Sequence, residues 1–482
     1  MFRRTKIVAT VGPQSSDQQV LKGLLDAGVD VVRLNCSHAG HQEIAALIAR
    51  IRELEASLGR AVGILLDLSG PKLRTGSLKG GMPVRLETGR EFTLTSLDIE
   101  GNSSIVSTNY PQLVQEARAG DTILLDDGLI ELAVLSADAT DLRCSIVSGG
   151  ILKNHKGINI PGAKLSIPSL TEKDKQDLTL GLAHDVDFIA LSFVRDAADI
   201  VRVKELTASS WPPPLVIAKL EKPEALDHLE EILEVADGVM IARGDLGVEL
   251  PPEKVPPAQK RIIRLSNLKG KPVITATQML ESMIEHPRPT RAEASDVANA
   301  IYDGTDAVML SGETAVGKYP LEAVRMMDRI ARAAEETQDY TKLKEHKAPT
   351  SAQAIAHAAC AMAVDMQARA IAAFTKSGAT ARLISQFRPP GPIIALTQHL
   401  HVFRQLSVNW GVSPFMLMEV SDSEATLALV EEKLLDSGIV SHGDSLVITG
   451  GLPIAARGAA NFVKLSRLPE SAPRQHLELK GI

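Results

Sequence analysis

The chain has 482 residues, of which 44% are hydrophobic, so it is long enough for more than one domain with a sizeable core. A formal net charge of −7 at pH 7 argues against nucleic acid as a partner, because phosphate backbones require a basic face. Three widely spaced cysteines indicate reduced thiols in a cytoplasmic protein, and no stretch approaches the roughly 18 consecutive apolar residues of a helix that spans a membrane.

Short apolar runs alternate with helical stretches in the first and third quarters of the chain, which is the pattern of βα units around a parallel sheet. Eight such runs predict a (β/α)8 TIM barrel, an α/β fold whose active site lies at the carboxyl ends of the strands. The predicted strands span 5–12, 30–35, 62–68, 187–193, 214–221, 238–245, approximately 272–279, and 306–313.

The gap between the third and fourth predicted strands is too long for a βα loop. It contains short alternating strands with Asp-Gly and Gly-Gly turns, which predict an inserted small β-barrel domain placed as a lid over the barrel mouth. After about residue 345 strands and helices alternate again, as in an open α/β domain. We therefore predict four segments: barrel at 1–72, lid at 73–166, barrel at 167–342 and a C-terminal regulatory domain at 343–482.

Two charged pairs end the fifth and sixth predicted strands. Because alternate strand residues share a face, Lys219 and Glu221 should lie together, as should Arg243 and Asp245. Glu221 and Asp245 would then end adjacent strands roughly 5 Å apart, a spacing that suits a hard divalent cation such as Mg²⁺. The alternative is a layer of structural salt bridges at the rim of the barrel.

Other polar side chains follow the remaining strands toward the same mouth. The second strand brings Arg33, Asn35, Ser37 and His38, and the seventh brings Thr277. Cations and carboxylates without a Ser-His-Asp or Cys-His arrangement favour phosphoryl or enolate chemistry, in which positioning and charge neutralisation dominate. The chain lacks a Walker A sequence, so a nucleotide would be held in another way.

Motifs along nearly the whole chain resemble the pyruvate kinase family. They are, in order, TKIVATVGP, RLNCSH, DLSGPKLRTG, HKGINIPG, IAKLEKPEAL, ARGDLGVELP, ATQMLESM, RPTRAEASDVANA and DGTDAVMLSGETAVGKYP. The resemblance implies transfer of a phosphoryl group from phosphoenolpyruvate to ADP, giving pyruvate and ATP. It also implies a barrel, a β lid, a C-terminal α/β domain and a homotetramer.

The resemblance assigns roles at the substrate end of the site. Glu221 and Asp245 would hold Mg²⁺, or Mn²⁺ in its place, against the substrate. Lys219 would neutralise the phosphoryl group in flight, and Arg33 would contact the same group. The backbone N–H groups of Gly244 and Asp245, with the hydroxyl of Thr277, would receive the substrate carboxylate. Thr277 also matches the position from which the family delivers a proton to the enolate.

The resemblance assigns nucleotide binding and a monovalent-cation site to neighbouring residues. Asn35, His38 and Arg74 match the nucleotide side, where a second Mg²⁺ should arrive with ADP. Many family members bind K⁺ through the positions of Asn35, Ser37, Asp67 and Leu68. Those members usually have Thr-Lys after the Asp and Glu after the next Gly-Pro, whereas this chain has Leu68 and Lys72. We predict that the Lys72 ammonium replaces K⁺, which would not be required; the alternative is that Lys72 points to solvent and K⁺ still binds.

A second anion site is predicted where a strand of the C-terminal domain enters a helix. Its hydroxyls, glycine and helix N-terminus suit a phosphate, and it resembles the family's effector loop. We therefore expect a phosphorylated allosteric effector here; plain helix capping is the alternative. The residues are Thr375, Lys376, Ser377, Gly378, Ala379 and Thr380, and a second effector loop would contain Arg457.

Two other functions fit parts of the same pattern. One is a Mg²⁺-dependent aldolase or lyase that stabilises a pyruvate enolate, although it would need neither the lid nor Lys219. The other is a non-catalytic sensor of sugar phosphates, against which the intact set of Lys219, Glu221, Asp245 and Thr277 argues.

Overall fold

The computed structural model describes residues 2–163, 165–340, 350–417, 423–452 and 459–470. Its strands, in chain order, are β1 (Lys6–Val11), β2 (Val31–Asn35), β3 (Gly63–Asp67), β4 (Val84–Leu86), β5 (Glu91–Thr95), β6 (Ile105–Ser107), β7 (Thr122–Leu125), β8 (Ile130–Ala137), β9 (Asp141–Ser148), β10 (Gly150–Leu152), β11 (Ile158–Asn159), β12 (Phe188–Leu191), β13 (Leu215–Leu220), β14 (Gly238–Ala242), β15 (Val273–Ala276), β16 (Ala307–Leu310), β17 (Ala370–Phe374), β18 (Ile393–Thr397), β19 (Val412–Met416), β20 (Ser445–Gly450) and β21 (Phe462–Arg467).

The α-helices cover the barrel and pack on the C-terminal sheet. In chain order they are α1 (Gln18–Asp26), α2 (His41–Leu58), α3 (Leu113–Glu116), α4 (Glu172–Ala183), α5 (Ala197–Thr207), α6 (Pro223–Asp227), α7 (Leu229–Val235), α8 (Arg243–Glu249), α9 (Val255–Lys269), α10 (Arg291–Asp303), α11 (Gly312–Ala315), α12 (Pro320–Glu336), α13 (Ser351–Asp365), α14 (Ala379–Gln386), α15 (Leu400–Gln405) and α16 (Ser423–Asp436). Among the described residues, no helix combines the length and apolar character needed to cross a membrane.

The eight predicted strands close into a parallel barrel, which confirms the TIM-barrel prediction. The order around the barrel is β1-β16-β15-β14-β13-β12-β3-β2. Val8, Leu65, Ile217 and Ile274 are among the buried residues that fill the interior, and a larger apolar layer separates the strands from the helices. Strands buried on both faces read as continuous apolar runs, which is why the sequence pattern found them.

Most barrel strands end one to three residues earlier than predicted, and at the sixth strand this changes the expected geometry. Strand β14 stops at Ala242, its last residue paired with β15, and Arg243 begins the helix α8. The prediction that Arg243 and Asp245 share a strand face is therefore wrong. Asp245 instead lies in the first turn of α8, where a carboxylate is favoured by the helix dipole.

Between β3 and β12 the chain forms a separate domain of strands, as predicted; that this domain closes into a small β-barrel stays a prediction. Its strands make a six-stranded sheet, β11-β7-β8-β9-β5-β6, and a two-stranded sheet, β10-β4, around one buried core. The boundaries at 73 and 166 stay predictions. The boundary at 342–343 lies outside the described residues, as does Arg457.

The C-terminal domain has the predicted α/β architecture, with sheet order β19-β18-β17-β20-β21. The antiparallel edge strand β21 was not predicted. This domain covers the amino-terminal ends of the barrel strands, opposite the mouth: Lys6 at the start of β1 donates to the Val412 carbonyl at 2.7 Å. Arg388 pairs with Asp306, just before β16, at 3.0 Å.

Candidate active site

Four charged side chains form a continuous cluster at the carboxyl ends of β2, β3 and β13. Arg33 Nη2 lies 2.6 Å from Asp67 Oδ2. Lys219 Nζ lies 3.3 Å from Asp67 Oδ1 and 2.8 Å from Glu221 Oε1. All four side chains are at most 11% exposed. The structure thus brings Lys219 and Glu221 together, as the strand alternation predicts.

The surroundings of the cluster raise the pKa values of both Lys219 and Glu221. Burial opposes the charge on Lys219, but Asp67, Glu221 and Asp245 outweigh it and raise the pKa of this ammonium. Burial also raises the pKa of Glu221, and repulsion from Asp245 adds to the effect despite the attraction of Lys219. The mouth therefore contains a permanent ammonium beside a buried carboxylate that would gain from further positive charge.

Glu221 and Asp245 fit a divalent cation. Their ligand atoms are hard oxygens, and a cation between them would offset the repulsion that raises the pKa of Glu221. In the described residues no group of three or more His, Cys, Asp or Glu side chains is arranged to hold a metal. A site with two carboxylates leaves positions for water and substrate oxygens, which is how Mg²⁺ is usually bound.

The predicted carboxylate-binding groups meet at the start of α8. The Gly244 N–H donates to Thr277 Oγ1 at 2.7 Å, and this hydroxyl donates to the Ala276 carbonyl at 2.6 Å. Thr277 has φ 66°, a strained value for a β-branched residue. Arg243 binds the Thr277 carbonyl at 2.7 Å and Asp296 at 2.7 Å, so its guanidinium holds this turn rather than facing the mouth.

A cavity of about 500 Å³ separates the inserted domain from the barrel mouth. Lys72, Arg74 and Asp245 are among its lining residues. His38 lies close to this group, since its pKa is lowered by burial and by the charges of Lys72 and Arg74. The charge of Arg74 therefore acts on His38, the other predicted nucleotide-side residue. Asn35 accepts a hydrogen bond from the Ser37 N–H at 3.0 Å.

The surroundings of Asp67 bear on the monovalent-cation prediction. Leu68 is buried, and its carbonyl accepts from Ser192 Oγ at 2.8 Å. The pKa of Lys72 is lowered by burial and by Lys219, while Asp245 and Asp67 oppose the shift. These influences place Lys72 within electrostatic reach of the cluster, although no described carboxylate oxygen lies within 4 Å of its ammonium.

The predicted effector loop lies between β17 and α14. Thr375 is buried, Ser377 is exposed, and Gly378 caps α14 with φ 81°. The N-cap residue makes no side-chain hydrogen bond to this helix, and both the effector site and the alternative of plain helix capping stay predictions. Arg382 Nη2 donates to the Ser377 carbonyl at 2.8 Å and fixes the loop against α14.

Several contacts in the site were not predicted. Lys219 donates to Ser192 Oγ at 2.7 Å, the Phe193 N–H donates to Glu221 Oε2 at 3.0 Å, and Arg33 donates to Thr10 Oγ1 at 2.9 Å. Ser192 and Phe193 follow β12, so the rule that active-site residues follow barrel strands could have found them.

The fold and the site define a TIM-barrel enzyme whose mouth is built for an anionic substrate. Residues 2–324 match the family model of the pyruvate kinase barrel domain, and residues 353–466 match that of the pyruvate kinase alpha/beta domain. The chain belongs to the pyruvate kinase family. It is therefore a metal-dependent phosphotransferase whose substrates are phosphoenolpyruvate and ADP.

Individual relatives agree with this assignment. Pyruvate kinase of Staphylococcus epidermidis is 45% identical over 96% of this chain and 80% of its own length. Pyruvate kinase of Staphylococcus aureus is 46% identical over the same shares. A crystal structure of a pyruvate kinase from Cryptosporidium parvum superposes with a TM-score of 0.90 at 37% identity, covering 97% of this chain and 96% of the other.

Proposed function

We propose that the buried cluster of Arg33, Asp67, Lys219 and Glu221 is the centre at which this pyruvate kinase transfers the phosphoryl group. The observation that carries the proposal is the Lys219 ammonium, held 2.8 Å from Glu221 and 3.3 Å from Asp67. A charge fixed in this way needs no reorganisation when the phosphoryl group moves past it.

Lys219 and Arg33 stabilise the phosphoryl group in transit. The bond from phosphorus to the enolate oxygen breaks as a terminal phosphate oxygen of ADP binds phosphorus, so negative charge spreads over the transferred group. Lys219 remains protonated throughout, because its carboxylate neighbours raise its pKa. Asp67 contacts both Lys219 and Arg33, which keeps their side chains in place between turnovers.

Glu221 and Asp245 would hold the metal, for which Mg²⁺ is our proposal. Bound there, Mg²⁺ would neutralise charge on the substrate carboxylate and enolate oxygen. The N–H groups at the start of α8 and the Thr277 hydroxyl bind the carboxylate; the Gly244 N–H would exchange its bond to Thr277 for one to the substrate. Thr277 then supports protonation of the enolate carbon through water, which gives pyruvate.

The nucleotide would lie in the cavity between the insertion and the mouth. Arg74 lines this cavity, and His38 is close enough for Arg74 to lower its pKa. We assign Asn35, His38 and Arg74 to ADP, whose phosphates the neighbouring cations would attract. The inserted domain would exclude water from the transfer as a lid.

The K⁺-independence and the effector site also belong to this proposal. Lys72 would supply the charge of K⁺, since Leu68 offers no side-chain oxygen. Residues 375–380 would bind a phosphorylated effector at the start of α14, for which fructose 1,6-bisphosphate, other sugar phosphates and AMP are the probes. A cytoplasmic homotetramer, the usual family form, completes the proposal.

Replacing Lys219 by Met tests the central assignment. We expect kcat to fall by at least about 1,000-fold, since a cation that stabilises a transferred phosphoryl group contributes on that scale. Pyruvate release is measured with coupled lactate dehydrogenase, and Lys204→Met is the control, because Lys204 pairs with Asp237 away from the mouth. A Lys219→Met enzyme with more than a tenth of the wild-type kcat would refute the role.

ADP-dependence of pyruvate release separates this function from its rivals. An enolate aldolase or lyase would release pyruvate without ADP, and a sensor would release none. The kinase requires both substrates together with metal, and removal of the metal with EDTA should abolish turnover reversibly.

A further inference from the structure

Glu249, the last residue of α8, is a buried carboxylate without a role in the proposal above. Its side chain is 2% exposed, and Oε1 accepts two hydrogen bonds. Lys222 Nζ donates at 2.6 Å and Asn159 Nδ2 at 2.9 Å. We call Glu249, Lys222 and Asn159 the Glu249 junction. A buried charge requires such partners, so the junction keeps its three segments together.

Two of these segments contain the proposed metal ligands. Lys222 directly follows Glu221, and its ammonium lies 5.9 Å from the centre of the Phe193 ring. The Phe193 N–H in turn donates to Glu221 Oε2. Glu249 lies one helical turn after Asp245, on the same face of α8. A displacement of Glu249 would therefore also displace the carboxylates of Glu221 and Asp245.

The third segment belongs to the inserted domain. Asn159 pairs with Leu124 in the sheet between β11 and β7, and β7 ends directly before Asp126. Asp126 lines the cavity and pairs with Lys156 at 2.7 Å. The position of Asn159 thus fixes the wall of the cavity that faces the barrel mouth.

Within the described residues, the bond between Asn159 and Glu249 is the only hydrogen bond between two side chains that joins the insertion to the barrel. Two other side-chain bonds cross this boundary, and both end on backbone carbonyls where the chain leaves or re-enters the barrel: Asn109 donates to Lys72, and Arg195 donates to Leu165. Among the described residues, the Glu249 junction therefore supplies the hydrogen bond between two side chains that joins the insertion to the mouth.

We propose that Glu249 is a positioning residue that joins the placement of the inserted domain over the nucleotide cavity to the placement of Glu221 and Asp245. The inference deepens the proposed function and rests on its assignment of those two carboxylates to the metal. Its consequence is that the insertion cannot move away from the mouth without breaking the bond to Glu249. The cavity wall near Asn159 and the proposed metal ligands Glu221 and Asp245 then move as one unit.

Asn159→Ala and Glu249→Gln test the proposal, with Lys204→Met as the control that breaks a salt bridge elsewhere. Asn159→Ala removes a neutral, half-buried side chain, so it leaves no buried charge unpaired and the barrel should fold. Hydrogen exchange of residues 122–127 and 157–160 is measured without metal or substrate. The kinetic constants kcat and KM for ADP and the half-saturating Mn²⁺ concentration are measured separately.

In both variants we expect the amides of 122–127 and 157–160 to exchange several-fold faster than in the wild type. Asn159→Ala should raise the KM for ADP roughly tenfold, with the half-saturating Mn²⁺ concentration almost unchanged because Lys222 still holds Glu249. Glu249→Gln should raise both quantities, each by roughly 10- to 100-fold. If the role of Glu249 were purely structural, both variants would have a lower unfolding temperature. The KM for ADP and the half-saturating Mn²⁺ concentration would then not respond differently in the two variants.

Unchanged exchange in both variants, or equal changes in Lys204→Met, would overturn the proposal. Failure of the metal assignment is recognised separately, because Glu221→Gln would then bind Mn²⁺ as tightly as the wild type. The exchange comparison needs neither metal nor turnover, so it decides the role of the junction in either case.

Discussion

Lys72 is the residue at which this chain departs most clearly from the K⁺-dependent members of the family that it resembles. The charges of Lys219, Asp245 and Asp67 act on its ammonium, so Lys72 lies within electrostatic reach of the proposed catalytic cluster. Lys72→Glu would bring a carboxylate to this position in place of a cation. We expect turnover to fall by about 100-fold in tetramethylammonium buffer, which is the scale of losing one electrostatic partner of a transition state.

Added KCl should restore most of the activity of Lys72→Glu and leave the wild type unaffected. Lys72→Gln is the matched control, since it removes the cation without adding the carboxylate that K⁺ would neutralise; KCl should rescue it less. A wild-type enzyme that is inactive in tetramethylammonium and activated by KCl would show that Lys72 does not replace the ion.

The cysteines lead to a second prediction at the scale of single residues. Cys36, Cys144 and Cys360 are buried and unpaired. Burial raises the pKa of Cys144 to about 12 and also raises the pKa of Cys36 and Cys360, with the charges of Asp177 and Asp67 adding at Cys36. Because the thiolate is the reactive form, none should react with a thiol reagent at pH 8 in the native protein.

Titration with a disulfide reagent checks this prediction by absorbance. The native protein should release no chromophore within minutes, whereas protein in denaturant should release three equivalents, one for each cysteine. A single fast equivalent in the native state would identify a reactive thiol and contradict this prediction.

The turn after β15 depends on Arg243, the first residue of α8, which follows the neighbouring strand β14. Its guanidinium donates to the carbonyls of Ala276 and Thr277 and to Asp296. An ammonium cannot span these three acceptors, so Arg243→Lys should release the strained Thr277. We expect kcat to fall by roughly 10- to 100-fold, as for a small misplacement of a group that contacts the substrate.

The loss of stability in Arg243→Lys should be about 1 to 3 kcal/mol, measured by urea unfolding, because buried carbonyls lose charged donors. Arg60→Lys is the control: Arg60 also donates to a carbonyl, that of Val29 at 3.1 Å, but at the opposite end of the barrel. A wild-type kcat in Arg243→Lys would mean that the turn keeps its shape without the guanidinium.

The same region shows how far the sequence could predict the elements. The barrel strands were recognisable because parallel strands buried on both faces are apolar runs that end in polar residues. The end of β14 could not be recognised in the sequence. Pairing with β15 stops at Ala242, and where pairing stops depends on the neighbouring strand. For the same reason, alternation placed Lys219 beside Glu221 correctly but placed Arg243 beside Asp245 wrongly.

Contacts between segments that are distant in the chain could not be predicted from the sequence. The bond from Asn159 to Glu249 joins residues 90 apart, and that from Arg388 to Asp306 joins residues 82 apart. No local period encodes such pairs, because they arise only when separate domains pack. The motif resemblance identified the residues of the buried cluster at the barrel mouth. The structure shows the hydrogen-bond and ion-pair partners of these residues.

At the scale of the whole molecule, Arg388 joins the C-terminal domain to the bottom of the barrel. It lies 3.0 Å from Asp306, donates to Asn267 at 2.8 Å and stacks 4.8 Å from the centre of the Trp410 ring. Both charged side chains are at most 7% exposed. The helix α14, which follows the proposed effector loop, ends two residues before Arg388, so this contact is the link between the proposed loop and the barrel that we would test.

Arg388→Met should destabilise the protein by about 3 to 5 kcal/mol, since it leaves the Asp306 carboxylate buried without its charged partner. Urea unfolding followed by tryptophan fluorescence measures the change. The protein has two tryptophans, and Trp211 is already 87% exposed, so the signal should come mainly from Trp410 at this interface. Asp306→Asn combined with Arg388→Met should recover part of the loss, because the amide does not require a cation. If the double variant were no more stable than Arg388→Met, the unpaired charge would not be the cause, and lost packing on Trp410 would account for the effect.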